Sequence, residues 1–363
     1  MQTLSSPFPE KIVRPPVRHN AAGLQEVFPG TPFGRIRNML DNGIDICIGG
    51  TYGFAMSFYS WLKQQMGKKF PIWDYNSSRA YKHAWYDVRS KIWMGIENGV
   101  PLLEKAPQNP WLKSFYPDKN GFFITFSDFL GMNGARQWYD RGIRYPVIDH
   151  AVHPFYGVYF PTRHSHLRLF DDWIGSAKGF HRAADIGTGC GILSFIMLKH
   201  GVHTIHATDI NPNAIYSIGQ DIHRLGISHG DHIFPEHANL LGSFLPKPED
   251  LIAFNPPWIP EQSDKILDQG CYYTPGFFER FFREMKEKCP PGTRIAILFS
   301  DFALLAGVAR EHPIAEALQL FEKDFTMELC EQRPVSEKPS KTKSWIHSIR
   351  DQEKVELYII KKK

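Results

Sequence analysis

Two short runs of this chain hold residue types whose spacing suits chemistry. The first is Asp185-Ile-Gly187-Thr188-Gly189-Cys-Gly191, with a companion acid, Asp209, in the following Ala207-Thr-Asp-Ile210-Asn211. The second is Asn255-Pro256-Pro257-Trp258. Glycines at this density allow a sharp turn and let a ligand lie against bare backbone. The spacing is not GxGxxG, because position 192 is Ile, and no Gly-Lys-Ser/Thr follows. Neither a dinucleotide turn nor a phosphate-cradling loop is therefore predicted, and a nicotinamide oxidoreductase is disfavoured. The carboxylate two residues before the first glycine suits a cationic group better than a pyrophosphate. An acid placed like Asp209, at the end of the next predicted strand, can accept both hydroxyls of a ribose.

Asn255 directly follows the apolar run Leu251–Phe254. Two prolines there stop the strand ladder, stiffen the backbone and leave a carbonyl with no neighbouring strand to serve. That place is the carboxyl edge of the sheet, where open α/β folds bind ligands.

The elements that must position these runs are legible in the texture of the chain after about Asp171. Short apolar runs alternate with helical stretches, the pattern of a parallel α/β sheet. Strands are predicted at Ala183–Asp185, Thr204–Thr208, His232–Pro235, Leu251–Phe254, Arg294–Phe299, Phe325–Leu329 and Lys354–Ile360. Helices are predicted to start near Gly191, Pro212 (after an Asn211 cap), Pro275 and Phe302. Glu331–Ser344, rich in Lys, Ser and Pro, reads as a long loop.

The glycine turn with its two acids resembles class I S-adenosylmethionine-dependent methyltransferases over roughly the last 190 residues. The resemblance implies a Rossmann-like seven-stranded α/β sheet with S-adenosyl-L-methionine as cofactor. Asp185, Gly187, Thr188, Gly189 and Gly191 would hold its methionyl part, and Asp209 with Ile210 its ribose side. Asn239 falls where the family often has an acid that reaches the adenine amine. Asn255–Trp258 resembles the (Asn/Asp)-Pro-Pro-(Tyr/Phe/Trp) signature of enzymes that methylate planar nitrogen, among them N6-adenine and release-factor glutamine methyltransferases. By that resemblance the Asn255 side-chain oxygen and the Pro256 carbonyl accept the two N–H bonds, Pro257 stiffens the turn and Trp258 stacks on the planar group. Gly157–His166 resembles the Pro-Arg-Pro-x-Thr-Glu stretch of the glutamine enzymes, with His166 where they have Glu. This makes Phe160, Pro161 and Arg163 pocket residues.

Upstream, residues 1–32 hold six prolines and read as an extended arm. Residues 33–165 read as a mainly helical substrate-recognition domain, and 166–363 as the cofactor-binding catalytic domain. A buried helix is expected to begin near Thr51. Another is expected over Ser77–Met94, with Tyr81, Trp85, Val88 and Trp93 packed on one side.

Composition bounds the rest. A length of 363 residues and an apolar share of 42% afford two ordinary domains. The five cysteines lack CxxC spacing, so no metal site is expected; they suggest mostly buried, reduced thiols and a cytoplasmic setting. No membrane segment is expected. A net charge of +4 is too weak for a dedicated duplex-DNA binder, so a protein or a small polar metabolite is the favoured partner and nucleic acid the lesser one. The expected function is N-methylation of an amide, exocyclic amine or guanidinium, on a protein glutamine or a small molecule. N6-adenine methylation, or a non-catalytic S-adenosylmethionine-binding partner of another methyltransferase, is the alternative.

Overall fold

The computed structural model describes residues 12–177, 179–227, 232–261, 270–335 and 344–363. The chain divides into two compact units, residues 1–137 and 138–363. Residues 138–165, grouped by sequence with the N-terminal region, thus fold within the second unit.

The first unit contains strands β1 (Val17–Arg18) and β2 (Leu24–Val27), helix α1 (Phe33–Asp41), β3 (Asp45–Ile48), α2 (Tyr52–Lys69), α3 (Tyr75–Arg89), β4 (Ile92–Glu97), β5 (Val100–Pro101), α4 (Trp111–Phe115), β6 (Gly121–Thr125) and α5 (Phe126–Arg141), whose last residues belong to the second unit. Helix begins at Thr51 as expected: the Thr51 hydroxyl accepts the Phe54 N–H at 3.2 Å. Ala55, Phe58, Leu62 and Met66 then form the buried stripe that a 3.6-residue period dictates.

Helices contribute more residues than strands here, but they accompany a six-stranded sheet, ordered β1-β6-β4-β3-β2 with β5 beside β4, that sequence did not predict. Two local expectations are corrected. The segment at 77–94 is not one helix: α3 ends at Arg89, and Trp93 and Met94 lie on the buried strand β4. The proline-rich arm also contains strands, β1 just after Pro16 and β2 before Pro29. Both sit at sheet edges, where missing backbone donors are tolerated. Residues 1–11 of that arm lie outside the described residues.

The second unit contains β7 (Ile143–Arg144), β8 (Ala151–Val152), α6 (Ser165–Ser176), β9 (Arg182–Ile186), α7 (Ile192–Lys199), β10 (Thr204–Asp209), α8 (Pro212–Arg224), β11 (Ile233–His237), β12 (Leu251–Phe254), β13 (Ile259–Pro260), β14 (Tyr272–Tyr273), α9 (Phe277–Lys288), β15 (Arg294–Ser300), α10 (Phe302–Leu305), α11 (Pro313–Leu320), β16 (Phe325–Pro334), α12 (Trp345–Arg350) and β17 (Lys354–Lys362). Seven strands form one sheet, ordered β11-β10-β9-β12-β15-β17-β16. The first five are parallel, and β17 runs antiparallel between β15 and β16. This is the Rossmann-like arrangement expected, and every predicted strand is present.

β9, β12 and β15 are buried along nearly their whole length on both faces, as the centre of a parallel sheet requires. β16 extends four residues beyond Cys330 into the predicted loop, its polar Glu331, Gln332 and Arg333 being acceptable on an exposed edge strand. Residues 336–343 of that stretch lie outside the described residues.

Candidate active site

The chain goes from β9 outward to β10 and β11, then returns to place β12 on the other side of β9. Loops leaving β9 and β12 therefore diverge and open a crevice at the carboxyl edge, the switch point of a doubly wound sheet. Register sets what meets there. Ile186 pairs with Thr208 on one side and Phe254 on the other, so the next residues, Gly187, Asp209 and Asn255, stand level. With strands about 4.8 Å apart, Asp209 and Asn255 face each other across roughly 10 Å of sheet edge.

A cleft of about 780 Å³, partly open to solvent, lies over this edge. Gly187, Gly189, Asp209, Ile210, Asn239, Asn255 and Pro257 line it, all singled out from sequence. A smaller recess of about 280 Å³ is lined by Asp185, Gly187, Thr188, Pro161 and Asn255. Asn255 borders both.

Asp185 is fully buried. Its Oδ2 accepts the Thr188 hydroxyl at 2.7 Å, the Ser194 hydroxyl at 2.6 Å and the Ser194 N–H at 3.0 Å. These bonds tie the glycine turn to α7 and leave Oδ1 without a protein partner among the described residues. Burial pushes the carboxyl up to about 6, against the three bonds that favour its charged form. Asp209 is held by backbone: its Oδ2 accepts the Gly189 N–H at 2.9 Å and its Oδ1 the Asn211 N–H at 2.8 Å. Burial raises its pKa as well. Gly189 adopts φ +53°, and a Cβ there would stand 3.0 Å from the Tyr159 carbonyl oxygen. Gly191 (φ +82°) borders neither cavity; it starts α7, where a Cβ would meet Ile218 at 2.7 Å.

Asn211 joins the parts. It caps α8, and its Nδ2 donates to the Gly157 carbonyl at 2.9 Å. Asn213 Nδ2 donates to the Tyr156 carbonyl at 2.7 Å, and Ser217 Oγ accepts the Phe155 N–H at 3.0 Å. α8 thereby fastens the segment that brings Gly157 and Tyr159 to the cleft.

Around Asn255 the structure leaves polar atoms without partners. Asn255 Oδ1 and Trp258 Nε1 are buried and make no hydrogen bond among the described residues. Pro256 is buried and Trp258 packs against the core cluster under the sheet. Each unsatisfied buried polar group costs about 1–3 kcal/mol, so such a pair marks a place shaped for something else to bind.

The 160–163 stretch divides in the structure. Pro161 lines the smaller recess, its carbonyl accepting the Tyr145 hydroxyl at 3.1 Å. Phe160 meets the Trp138 ring at 5.8 Å, and Arg163 pairs with buried Glu353 at 3.0 Å; neither lines either cavity. Sequence reasoning missed Gly157, Tyr159, Ala214, Leu240 and Phe277 as lining residues. The available signal was Gly157-Val-Tyr159, which opens the stretch singled out by resemblance but was not assigned to the pocket. Of the thiols, Cys190 and Cys289 are buried but Cys271 and Cys330 are exposed, fewer buried than expected.

Among the described residues no helix is long and apolar enough to cross a membrane. Residues 160–252 match the family model of ribosomal protein L11 methyltransferase (PrmA). A candidate protein N5-glutamine methyltransferase of Methanocaldococcus jannaschii is 33% identical over 86 residues, 23% of this chain and 40% of that protein. The chain therefore spans well under half of that relative's length. Among solved structures, Trm5b of Pyrococcus abyssi is 14% identical with a TM-score of 0.38, covering 61% of this chain and 55% of that one. The ribosomal protein L11 methylase of Lactobacillus delbrueckii subsp. bulgaricus is 17% identical with a TM-score of 0.36, covering 56% and 89%. The matched residues 160–252 hold the glycine turn and both acids, so this stretch is similar to a methyltransferase family, within a sheet of Rossmann-like order.

Proposed function

We propose that the protein is an S-adenosylmethionine-dependent N-methyltransferase whose acceptor is a planar nitrogen, on a protein glutamine or a small molecule. The observation that carries this reading is the buried, unpartnered Asn255 Oδ1 at the border of the cofactor cleft. The residues present fit the cofactor: bare glycine backbone and the Asp209 carboxylate line the cleft, and the Asp185 carboxylate lines the adjoining recess. Asp209 would take the ribose hydroxyls, with Ile210 and Asn239 beside the base. Gly187, Thr188 and Asp185 Oδ1 would take the methionyl end. When bound, S-adenosylmethionine supplies an electrophilic methyl group.

The chain's own residues make a poor nucleophile competent. The lone pair of an amide or exocyclic amine is delocalised into its π system. Asn255 Oδ1 and the Pro256 carbonyl accept its two N–H bonds and draw the nitrogen out of conjugation. The Pro256-Pro257 backbone fixes both acceptors before substrate arrives, so little reorganisation is needed. Trp258 supplies an apolar wall for the planar group. Methylation makes the nitrogen acidic, so no strong base is required, and positioning can contribute roughly 7–11 kcal/mol. The first unit is the substrate-recognition part in this reading. Five thiols outside any disulfide suit a reducing, cytoplasmic setting.

A second reading, an adenine amine of nucleic acid, is favoured by charge distribution. Residues 1–137 carry 16 Lys and Arg against 10 Asp and Glu, a net of +6, and the rest of the chain 26 against 28, a net of −2. Incubation with methyl-labelled S-adenosylmethionine and fractionated cell extract separates the readings. Label on an amide nitrogen of protein or a small molecule supports the first, and label on adenine the second. No transfer to any nitrogen refutes both.

A further inference from the structure

His166, the second residue of α6, is 1% exposed, and neither of its ring nitrogens has a hydrogen-bond partner among the described residues. A buried imidazole always carries at least one N–H and one N lone pair, or two N–H groups, so this side chain leaves both capacities unmet. Its ring meets the Trp258 ring edge-on, with centroids 5.2 Å apart and planes at 84°. Trp258 Nε1 is likewise unpartnered, and Asn255 Oδ1 lies three residues earlier on the same turn. Orphaned buried polar atoms are rare in folded proteins, yet His166 and the Asn255–Trp258 turn contribute four of them here.

We infer that His166 is a positioning residue of the acceptor site, and that with Asn255 and Trp258 it selects a neutral planar group over a cationic one. The inference rests on the planar-nitrogen reading and deepens it. The set complements a carboxamide: Asn255 Oδ1 and the Pro256 carbonyl accept its two N–H bonds, Trp258 walls its face, and one imidazole N–H donates to its carbonyl oxygen. It contains no carboxylate. Burial and the neighbouring His164 keep the imidazole uncharged. Both oxygens of Asp209 are engaged by backbone amides, and Asp185 Oδ2 by α7 and the glycine turn. A guanidinium desolvated against this set would find donors where it needs acceptors and no compensating charge.

The test uses the full chain with S-adenosylhomocysteine bound and the imidazole nitrogens labelled with ¹⁵N. Propionamide and methylguanidinium are titrated separately, and the His166 signals are assigned by their loss in His166→Gln. Propionamide is expected to move the His166 ring signals and to bind at least tenfold tighter than methylguanidinium. His166→Phe should weaken propionamide at least about fivefold while the melting temperature stays level or rises, because an apolar ring removes two unsatisfied nitrogens. His166→Gln, which keeps a donor and an acceptor, should stay within about twofold of wild type. Equal binding of the two probes, no propionamide-dependent shift in wild type, or unchanged binding in His166→Phe overturns the inference. If Asn255→Ala abolishes propionamide binding and His166→Phe does not, only the role of His166 falls. If neither variant matters, the planar-nitrogen reading falls with it.

Discussion

If Asp185 holds the cationic end of the cofactor, as proposed, cofactor affinity should depend on pH. Burial pushes its carboxyl up to about 6. A cationic methionyl amine is held by the carboxylate and not by the acid. Affinity should therefore rise with pH through that value. Scaling by the deprotonated fraction, the apparent Kd at pH 5 should be about tenfold that at pH 7, roughly 1.4 kcal/mol. Titration calorimetry between pH 5 and 7 measures this directly. S-adenosylhomocysteine, which keeps the amine but lacks the sulfonium, should show the same slope.

Asp185→Asn should flatten the slope that belongs to this residue and bind weakly throughout. Its stability has the opposite sense. A carboxyl whose folded pKa lies above its unfolded value stabilises fully below about 4, and that contribution is lost as pH rises through about 6. At pH 7 the Asn variant, which can still accept from Thr188 and Ser194, should melt no lower than wild type and be more stable by up to about 3 kcal/mol. A Kd unchanged between pH 5 and 7 would refute the assignment of Asp185 to the cationic end of the cofactor.

Two further substitutions separate cleft from scaffold. Gly191→Ala should lower the melting temperature by the equivalent of about 1–3 kcal/mol, since its Cβ would meet Ile218 at 2.7 Å, while calorimetry finds cofactor affinity changed less than by Gly189→Ala. Arg163→Ala should cost about 1–3 kcal/mol in thermal unfolding, because buried Glu353 loses a charged partner, with cofactor Kd within about twofold of wild type.

The catalytic sheet was readable because its strands are short apolar runs bounded by turn residues, and because the chemistry stands where each strand stops. Asp209 and Asn255 are the terminal or next residues of β10 and β12, so placing the strands placed the site. The first unit resisted the same approach. β4 follows α3 after only Ser90 and Lys91, and its Trp93 continues the aromatic spacing of the helix, so one period concealed a change of element. β1 and β5 are two residues long, too short for any alternation to show. The part of the cleft formed by Gly157 and Tyr159 depends on bonds from Asn211 and its helix across more than fifty positions, which no local pattern reveals. His166 was visible only as a departure from a related motif; its burial against Trp258 comes from the tertiary fold.

The central claim is that Asn255 prepares a planar nitrogen for methylation. It is tested most directly by comparing Asn255→Ala with wild type, using methyl-labelled S-adenosylmethionine and the acceptor fraction, with cofactor Kd measured alongside. The account predicts a Kd within about twofold and transfer reduced at least about tenfold, roughly 1.4 kcal/mol of lost stabilisation. Undiminished transfer by Asn255→Ala, or label recovered on carbon, oxygen or sulfur, would contradict it.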